Sequence, residues 1–341
     1  MRVSIVCFSP RGAETMGRIA GMFESGGHEV DTLSKGAFAP KSKRVSLGKW
    51  TEKAFRESRA LVFVGAAGIA VRHVAPFVKD KTTDPAVIVV DELGLYSIPI
   101  LSGHLGGANE IAKDIAATLG SVPVITTASD INNLLSPDMF AKRNGLIIGS
   151  MVAAKDVAGA IVSGREVCFR SDYPTKGAVP KELTVSDSGD IGICVSGAGL
   201  KPFKRTLLLA PRNLVLGVGC RRGTPQDRLA GFLKGFSKEA GFDRRRIAKV
   251  VSIDLKSDEA GLLEFAEGLG AGTRFFTSDE LAAVAGDFDE SEFVKKTTGV
   301  GNVCERSAVA AGGVLVHGKK AGDGITMAVS ETPFTVSFEV D

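Results

Sequence analysis

The sequence predicts an α/β protein: two open, mostly parallel α/β domains joined by a smaller middle α+β module. Three observations lead there. Short, continuous apolar runs such as Ala60–Val64 and Ala86–Val90 end in small-residue turns and are followed by amphipathic stretches of helical spacing. That alternation breaks near residue 132 and restarts at Leu214. The chain has 341 residues, more than one typical domain holds. The divisions expected are 1–135, 136–210 and 211–341.

In chain order, Val3–Phe8 reads as a first strand and Glu14–Ser25 as a helix, with Met16, Ile19, Ala20 and Phe23 on one face. A second strand begins at His28. Pro40–Arg44 is a basic, solvated loop, and Trp50–Ser58 is an amphipathic helix. Ala60–Val64 has no polar residue, as a strand buried on both faces requires. It ends in Gly65-Ala66-Ala67-Gly68, and a helix runs from Ile69 to about Val78. Ala86–Val90 is the next strand, with Asp91-Glu92 at its end. Tyr96–Leu101 leads into Ser102-Gly103-His104-Leu105-Gly106-Gly107-Ala108-Asn109-Glu110, a helix follows from Ala108 to Leu119, and Val122–Thr127 closes the series.

Ligands of open parallel sheets bind at the C-terminal ends of strands. Gly65–Gly68, Asp91-Glu92 and Ser102–Asn109 are all expected at that edge. Glycine permits positive φ and close backbone approach. A helix start carries free N–H groups that suit an anion or oxyanion. An unperturbed histidine titrates near neutrality, so His104, one of four histidines, suits a general base. The plainer alternative is a tight strand-to-helix turn that His104 caps.

Residues 136–210 are expected to hold short strands at Val167–Phe169 and Ile191–Val195, with Cys168 and Cys194 as core residues. Leu207–Asn213 reads as a linker. Leu214–Gly223 restarts the strand–loop–helix pattern, its helix capped by Thr224 and starting at Pro225. Ile247–Leu255 is a strand, and Arg244-Arg245-Arg246 before it is a solvated turn. Val314–Val316 pairs with Ile325–Val329 across a polar turn holding a solvated His317.

Gly217-x-Gly219-x-x-x-Gly223 is one residue longer than the dinucleotide fingerprint, although Asp254 ends the next strand where a ribose-binding acid would sit. Arg221 and Arg222 beside a helix start suit a carboxylate clamp, or are simply surface arginines. Cys220 at that helix start could serve as a nucleophile. Arg72 could face the first cleft, and His73 is either functional or a buried, satisfied histidine.

Composition excludes several classes. A net charge of +3 and 6% aromatic residues are no nucleic-acid signature. No stretch of about 18 apolar residues would cross a membrane. Five scattered cysteines without a C-x-x-C pair argue against a disulfide framework or structural zinc, and no histidine pair has metal-ligand spacing. With no signal-peptide core after Met1, a cytoplasmic location is expected.

Three segments together resemble a known family: Gly65–Pro76, Asp84–Asp91 and Leu101–Glu110. Gly217–Gly223 and Val300–Glu305 agree, and Cys304 and Arg306 depart from the small residues expected there. The resemblance is to the CbiG family of anaerobic cobalamin biosynthesis, the cobalt-precorrin-5A hydrolases. It implies a cobalt-bearing tetrapyrrole substrate rimmed with carboxylates, a δ-lactone to be opened and acetaldehyde to be released, with cobalt entering only as part of the substrate and no further cofactor or metal. His104 would be the general base, and Asp91 or Glu92 would orient it or carry a proton. The amides of Gly106 and Gly107 would hold the oxyanion. Arg72, Arg221 and Arg222 would pair with peripheral carboxylates in a cleft between the domains, each pair worth about 1.5–3 kcal/mol. Gly65, Gly68, Ser102, Gly103, Asn109, Gly219 and Glu305 complete the expected binding residues. Other cobalamin-pathway enzymes and a second copy of the chain are the expected partners; nucleic acid and membrane are not. The alternatives are a non-catalytic tetrapyrrole carrier and a dinucleotide-dependent enzyme.

Overall fold

The structure, a computed structural model, describes residues 1–38, 45–80 and 83–339, so the basic loop at Pro40–Arg44 lies outside the described residues. Residues 1–139 form one compact unit and residues 140–341 another.

The first unit contains β1 (Arg2–Cys7), α1 (Pro10–Ser25), β2 (Glu29–Ser34), α2 (Leu47–Glu57), β3 (Ala60–Val64), α3 (Ala67–Val74), β4 (Ala86–Val90), β5 (Tyr96–Leu101), α4 (Ala108–Leu119), β6 (Val122–Pro123) and α5 (Ala128–Ile131). α6 (Pro137–Arg143) spans the division. The α1 boundary follows from local chemistry. Ser9 caps the helix by accepting from the Gly12 N–H, and Pro10 opens the first turn.

The sheet order is β2-β1-β3-β4-β5-β6. Side chains alternate along β3, so Ala60, Val62 and Val64 join Ile19, Phe23 and Ile115 on one face. Leu61 and Phe63 join Trp50, Ala54 and Ala70 on the other. Both faces are covered by helices, which is why the strand carries no polar residue. Burying each large side chain in full contributes about 1.5–3 kcal/mol.

The direction of β5 departs from expectation. β2, β1, β3 and β4 run parallel, but β5 pairs antiparallel with β4, placing Leu101 opposite Val87 and Ser97 opposite Val90. β6 is parallel to β5. The C-terminal ends of β5 and β6 therefore lie at the sheet edge opposite the ends of β3 and β4. Five-residue strands separate the two edges by on the order of 15 Å. Gly65–Gly68 and Asp91-Glu92 share one edge, and Ser102–Asn109 lies at the other.

The second unit contains β7 (Leu146–Ile148), α7 (Met151–Val162), β8 (Val167–Ser171), β9 (Thr175–Lys176), β10 (Leu183–Val185), β11 (Gly189–Val195) and β12 (Phe203–Pro211). These are followed by β13 (Leu214–Cys220), α8 (Gln226–Ala240), β14 (Ile247–Ile253), α9 (Ala260–Gly268), β15 (Gly272–Phe276), α10 (Ser278–Ala282), α11 (Glu292–Thr298), α12 (Cys304–Ala310), β16 (Val314–Gly322), β17 (Ile325–Glu331) and β18 (Val336–Ser337). Two five-stranded sheets result, β10-β8-β11-β12-β7 and β15-β14-β13-β17-β16. The expected linker at Leu207–Asn213 is mostly strand: Leu207 and Leu209 are fully buried in β12.

Arg246 is no solvated turn residue. Only 4% exposed, it donates to Gly197 O, Pro211 O, Asn213 Oδ1 and, at 2.7 Å, to Glu331 Oε1. A buried guanidinium persists only with its donors satisfied, and these partners come from both sheets. His317 stacks on Phe242 at 5.0 Å between ring centroids, and burial lowers its pKa. The expected hairpin forms as β16–β17, with Asp323 and Gly324 both at positive φ in its turn.

Candidate active site

The loop after β5 is built by two left-handed residues. Ser102 has φ 57° and Gly107 has φ 86°. Ser102 is held there by its hydroxyl, which donates to Asp84 O at 3.0 Å. A Cβ on Gly106 would collide with Ser102 Cβ and its carbonyl oxygen, so only glycine lets the loop close on itself.

The closed loop uses the amides at the start of α4. Gly107 N–H donates to His104 O, Ala108 N–H to Ser102 O and Asn109 N–H to Gly103 O, all at 3.0–3.1 Å. The expected oxyanion role for Gly107 is thus corrected: its amide is occupied by the turn.

His104 projects into an acidic cluster. Its Nε2 lies 2.8 Å from Asp130 Oδ2, and its Nδ1 lies 3.6 Å from Asp138 Oδ1. Ser129 Oγ is 3.3 Å from Nε2 and Ser136 Oγ 3.4 Å from Nδ1. Asn109, 3% exposed, donates to the same Asp130 Oδ2 at 3.0 Å and to Thr127 Oγ1. Ser136 Oγ and the Met139 N–H both donate to Asp138 Oδ1. The His104 side chain keeps 21% of its exposure, so solvent reaches the ring.

The Asp138 carboxylate raises the His104 pKa, burial opposes it, and Asp130 adds to the rise. For Asp138, burial alone would raise the pKa. The His104 ring facing it and the hydrogen bond from Ser136 outweigh it and hold the carboxyl at about 2.

Neither of the carboxylates assigned to His104 from sequence reaches it. Asp91 accepts from the N–H groups of Leu93, Leu95 and Tyr96, shaping the β4–β5 turn. Glu92 accepts from Ser9 Oγ at 2.6 Å. Both sit at the opposite edge because β5 is reversed. Gly65 is at that edge too, its N–H donating to Val90 O at 2.8 Å, and Gly68 lies in the first turn of α3. Arg72 is exposed on α3 and makes no ion pair among the described residues. Sequence reasoning missed Asp130, Ser136 and Asp138. The one local signal, for Asp130 alone, was the cluster of Thr126, Thr127, Ser129 and Asp130 a few residues after β6.

The second unit holds a cavity of about 640 Å³ at the C-terminal ends of β13 and β14, lined mainly by apolar surface. Gly219, Arg221, Arg222, Lys256, Asn302 and Lys319 are among its walls. A Cβ on Gly219 would strike Thr326 Oγ1. Glu259 accepts from the Gly223 N–H and from Lys256 Nζ, and Thr224 Oγ1 donates to Arg221 O, so the Arg221–Gly223 turn is fixed from within. Thr224 therefore does not cap α8, which starts after Pro225.

The cavity cations differ in pairing. Arg222 bonds Asp258 at 3.1 Å, Lys256 bonds Glu259 at 3.1 Å and Lys319 bonds Asp289 at 2.7 Å. Arg221 has no ion-pair partner among the described residues. Burial pushes the Cys220 thiol up, which disfavours the thiolate that a nucleophile needs. Glu305 does not line the cavity. It is 5% exposed and accepts from Asn302 Nδ2, Lys319 N and Asp289 N, so its carboxylate ties the wall together. Asp254 begins a short 3₁₀ turn and does not line the cavity either.

Family models match three consecutive segments. The model for the cobalamin synthesis G N-terminal region covers residues 49–130, that for the cobalamin biosynthesis central region 135–211, and that for the cobalamin synthesis G C-terminus 214–330. A protein of Salmonella typhimurium named cobalt-precorrin-5A hydrolase is 34% identical over 314 residues, covering 88% of this chain and 89% of that one. One of the same name from Priestia megaterium is 31% identical over 301 residues, covering 82% and 80%. A solved structure titled as a cobalamin biosynthesis protein G homologue, from Sulfolobus solfataricus, aligns over 96% of both chains at 23% identity, with a TM-score of 0.44. With three models matched in order and two relatives above 30% identity along most of their length, the chain belongs to the cobalt-precorrin-5A hydrolase family, the CbiG proteins of cobalamin biosynthesis.

Proposed function

We propose that this chain hydrolyses the δ-lactone of cobalt-precorrin-5A and releases acetaldehyde, leaving cobalt-precorrin-5B. The observation that carries this reading is the match, over four-fifths or more of both chains, to relatives named for hydrolysis of that compound. The His104 cluster supports it. Lactone opening needs water to add to a carbonyl, and a proton to reach the oxygen that departs. Expelling a two-carbon aldehyde then needs the freed hydroxyl to lose its proton. A histidine with solvent access and fixed orientation can serve both transfers.

In the second unit, Gly219 and Arg221 are assigned to the carboxylate rim of the macrocycle, while Arg222, exposed and already paired with Asp258, is left a minor part in binding. A largely apolar cavity whose Arg221 has no ion-pair partner among the described residues suits a flat apolar ring bearing acid groups. Cobalt enters with the substrate, and no further cofactor is needed for water addition and carbon–carbon cleavage. No helix among the described residues is long and apolar enough to cross a membrane, and we place the enzyme in the cytoplasm beside the other enzymes of the pathway.

The test is anaerobic incubation of the purified chain with cobalt-precorrin-5A, reading acetaldehyde and the mass of the macrocycle together. Stoichiometric acetaldehyde with a correspondingly lighter macrocycle is expected. Tight binding without either change would overturn the hydrolase reading in favour of a carrier.

A further inference from the structure

We propose that Asp130 and Asp138 are positioning residues that hold His104 as the imidazolium, so that it enters the reaction as a proton donor rather than as a base. The geometry carries this. A neutral imidazole has one N–H and one lone pair, and both ring nitrogens of His104 face carboxylate oxygens. A lone pair pointed at a carboxylate is repelled, and a second N–H is attracted. The charged groups acting on the ring are Asp130 on α5 and Asp138 on α6. The other neighbours, Ser129 and Ser136, are neutral. The two sides are unequal. Nε2 is held at 2.8 Å by an oxygen that Asn109 also fixes, whereas Nδ1 stands 3.6 Å from Asp138. The loosely held proton, on Nδ1, is the one free to move.

The chemistry rests on the lactone reading and then balances. Water adds to the lactone carbonyl and gives a proton to solvent. The acyl carbon–oxygen bond breaks, its electron pair stays on the ring oxygen, and that oxygen takes the Nδ1 proton. Neutral His104 then takes this hydroxyl proton back as the adjacent carbon–carbon bond breaks. The electron pair of that bond passes into the macrocycle, which is protonated from solvent. Acetaldehyde leaves, and His104 is again the imidazolium. One substrate and one water become one product and one acetaldehyde.

The test begins without substrate. Histidine-ring ¹H–¹⁵N spectra of the full chain, which has four histidines, follow His104 through pH. His104 is expected to titrate above the ordinary value of 6.5, with both ring nitrogens protonated at neutral pH. Asp138→Asn is expected to lower that pKa, and Asp138→Glu to restore it; Asp130→Asn gives a second route to the same shift should Asp138→Asn fail to fold. In turnover, Asp138→Asn is expected to lower kcat for acetaldehyde about 10- to 100-fold with KM little changed, and to move the alkaline limb of the pH profile down. A His104 that titrates at or below 6.5, or that ignores both substitutions, overturns the proposal. A raised His104 pKa in a chain that yields no acetaldehyde supports the charge assignment and overturns only the lactone reading.

Discussion

The His104 cluster and the cavity of the second unit organise charge in opposite ways. In the cluster, two carboxylates converge on one ring, and each is braced by further donors. In the cavity, cations surround a mostly apolar space, and three of the four have an acidic partner. The first arrangement fixes the state and orientation of one proton-carrying group. The second holds a wide wall in place through ion pairs and leaves Arg221 without one among the described residues. Proton transfer needs one group placed to a fraction of an ångström. Holding a large acidic ligand needs area and a few charges whose partners have not already satisfied them.

The largest effect that would sharpen this contrast is at His104. Replacing it by alanine should lower acetaldehyde release about 100-fold or more in single turnover. Binding, followed by the absorbance of the macrocycle, should change little. Equal losses in binding and chemistry would break the division of labour. Arg221→Ala should do the reverse, weakening binding about 10- to 100-fold, as removal of a charged hydrogen bond of 1.5–3 kcal/mol implies, with kcat nearly unchanged. Arg222→Ala is the internal control: exposed and paired with Asp258, it should cost no more than a few-fold in Kd. If Arg222 proves the stronger of the two, pairing does not set which cation is available.

Gly106→Ala tests whether the loop is as tightly closed as its contacts suggest. The new methyl would meet Ser102, so chemical denaturation of the first unit should show a loss of about 1–3 kcal/mol. Wild-type stability would mean that the loop relaxes freely. The smallest effect is the pH dependence of folding. Asp138 titrates lower in the folded state than in the unfolded chain, so its stabilisation is present above pH 3.8 and fades as pH falls toward about 2. His104 is shifted upward, so its contribution is present below 6.5 and fades as pH rises through its folded pKa. Asp138→Asn should flatten both limbs in urea titrations across these ranges, and a limb that stays unchanged would show that some other group titrates there.

Much of the fold was legible locally. Ala60–Val64 and Ala86–Val90 read as doubly buried strands and are fully buried. The helix at Ala108–Leu119 carries its boundaries in Gly107 and Gly120, whereas α1, expected from Glu14, starts one turn earlier at Pro10, where Ser9 caps it. The small-residue loop around His104 was identified for what glycine and histidine permit. Its partners were not, because Asp130 and Asp138 follow it by 26 and 34 positions in chain order and nothing in their own spacing marks them. Arg246 was misread for a similar reason: the residues before it in sequence are charged, but its partners in space include carbonyls and a carboxylate.

By itself, then, the sequence determined most of the strands and helices and which loops can bend sharply, since apolar periodicity and backbone preference act over a few residues, although it put the start of α1 at Glu14 rather than Pro10, a cap at Thr224 and a linker where β12 runs. Its motifs also determined the family. Tertiary structure alone decided that β5 runs against β4, and hence which loops share an edge. It thereby gave His104 the carboxylates of Asp130 and Asp138 and left Asp91 and Glu92 to a turn and a hydroxyl at the far side. The reason is physical: an apolar run buries equally well in either direction, so strand orientation is settled by pairing across the whole sheet, and a one-strand reversal moves a loop by the full strand length.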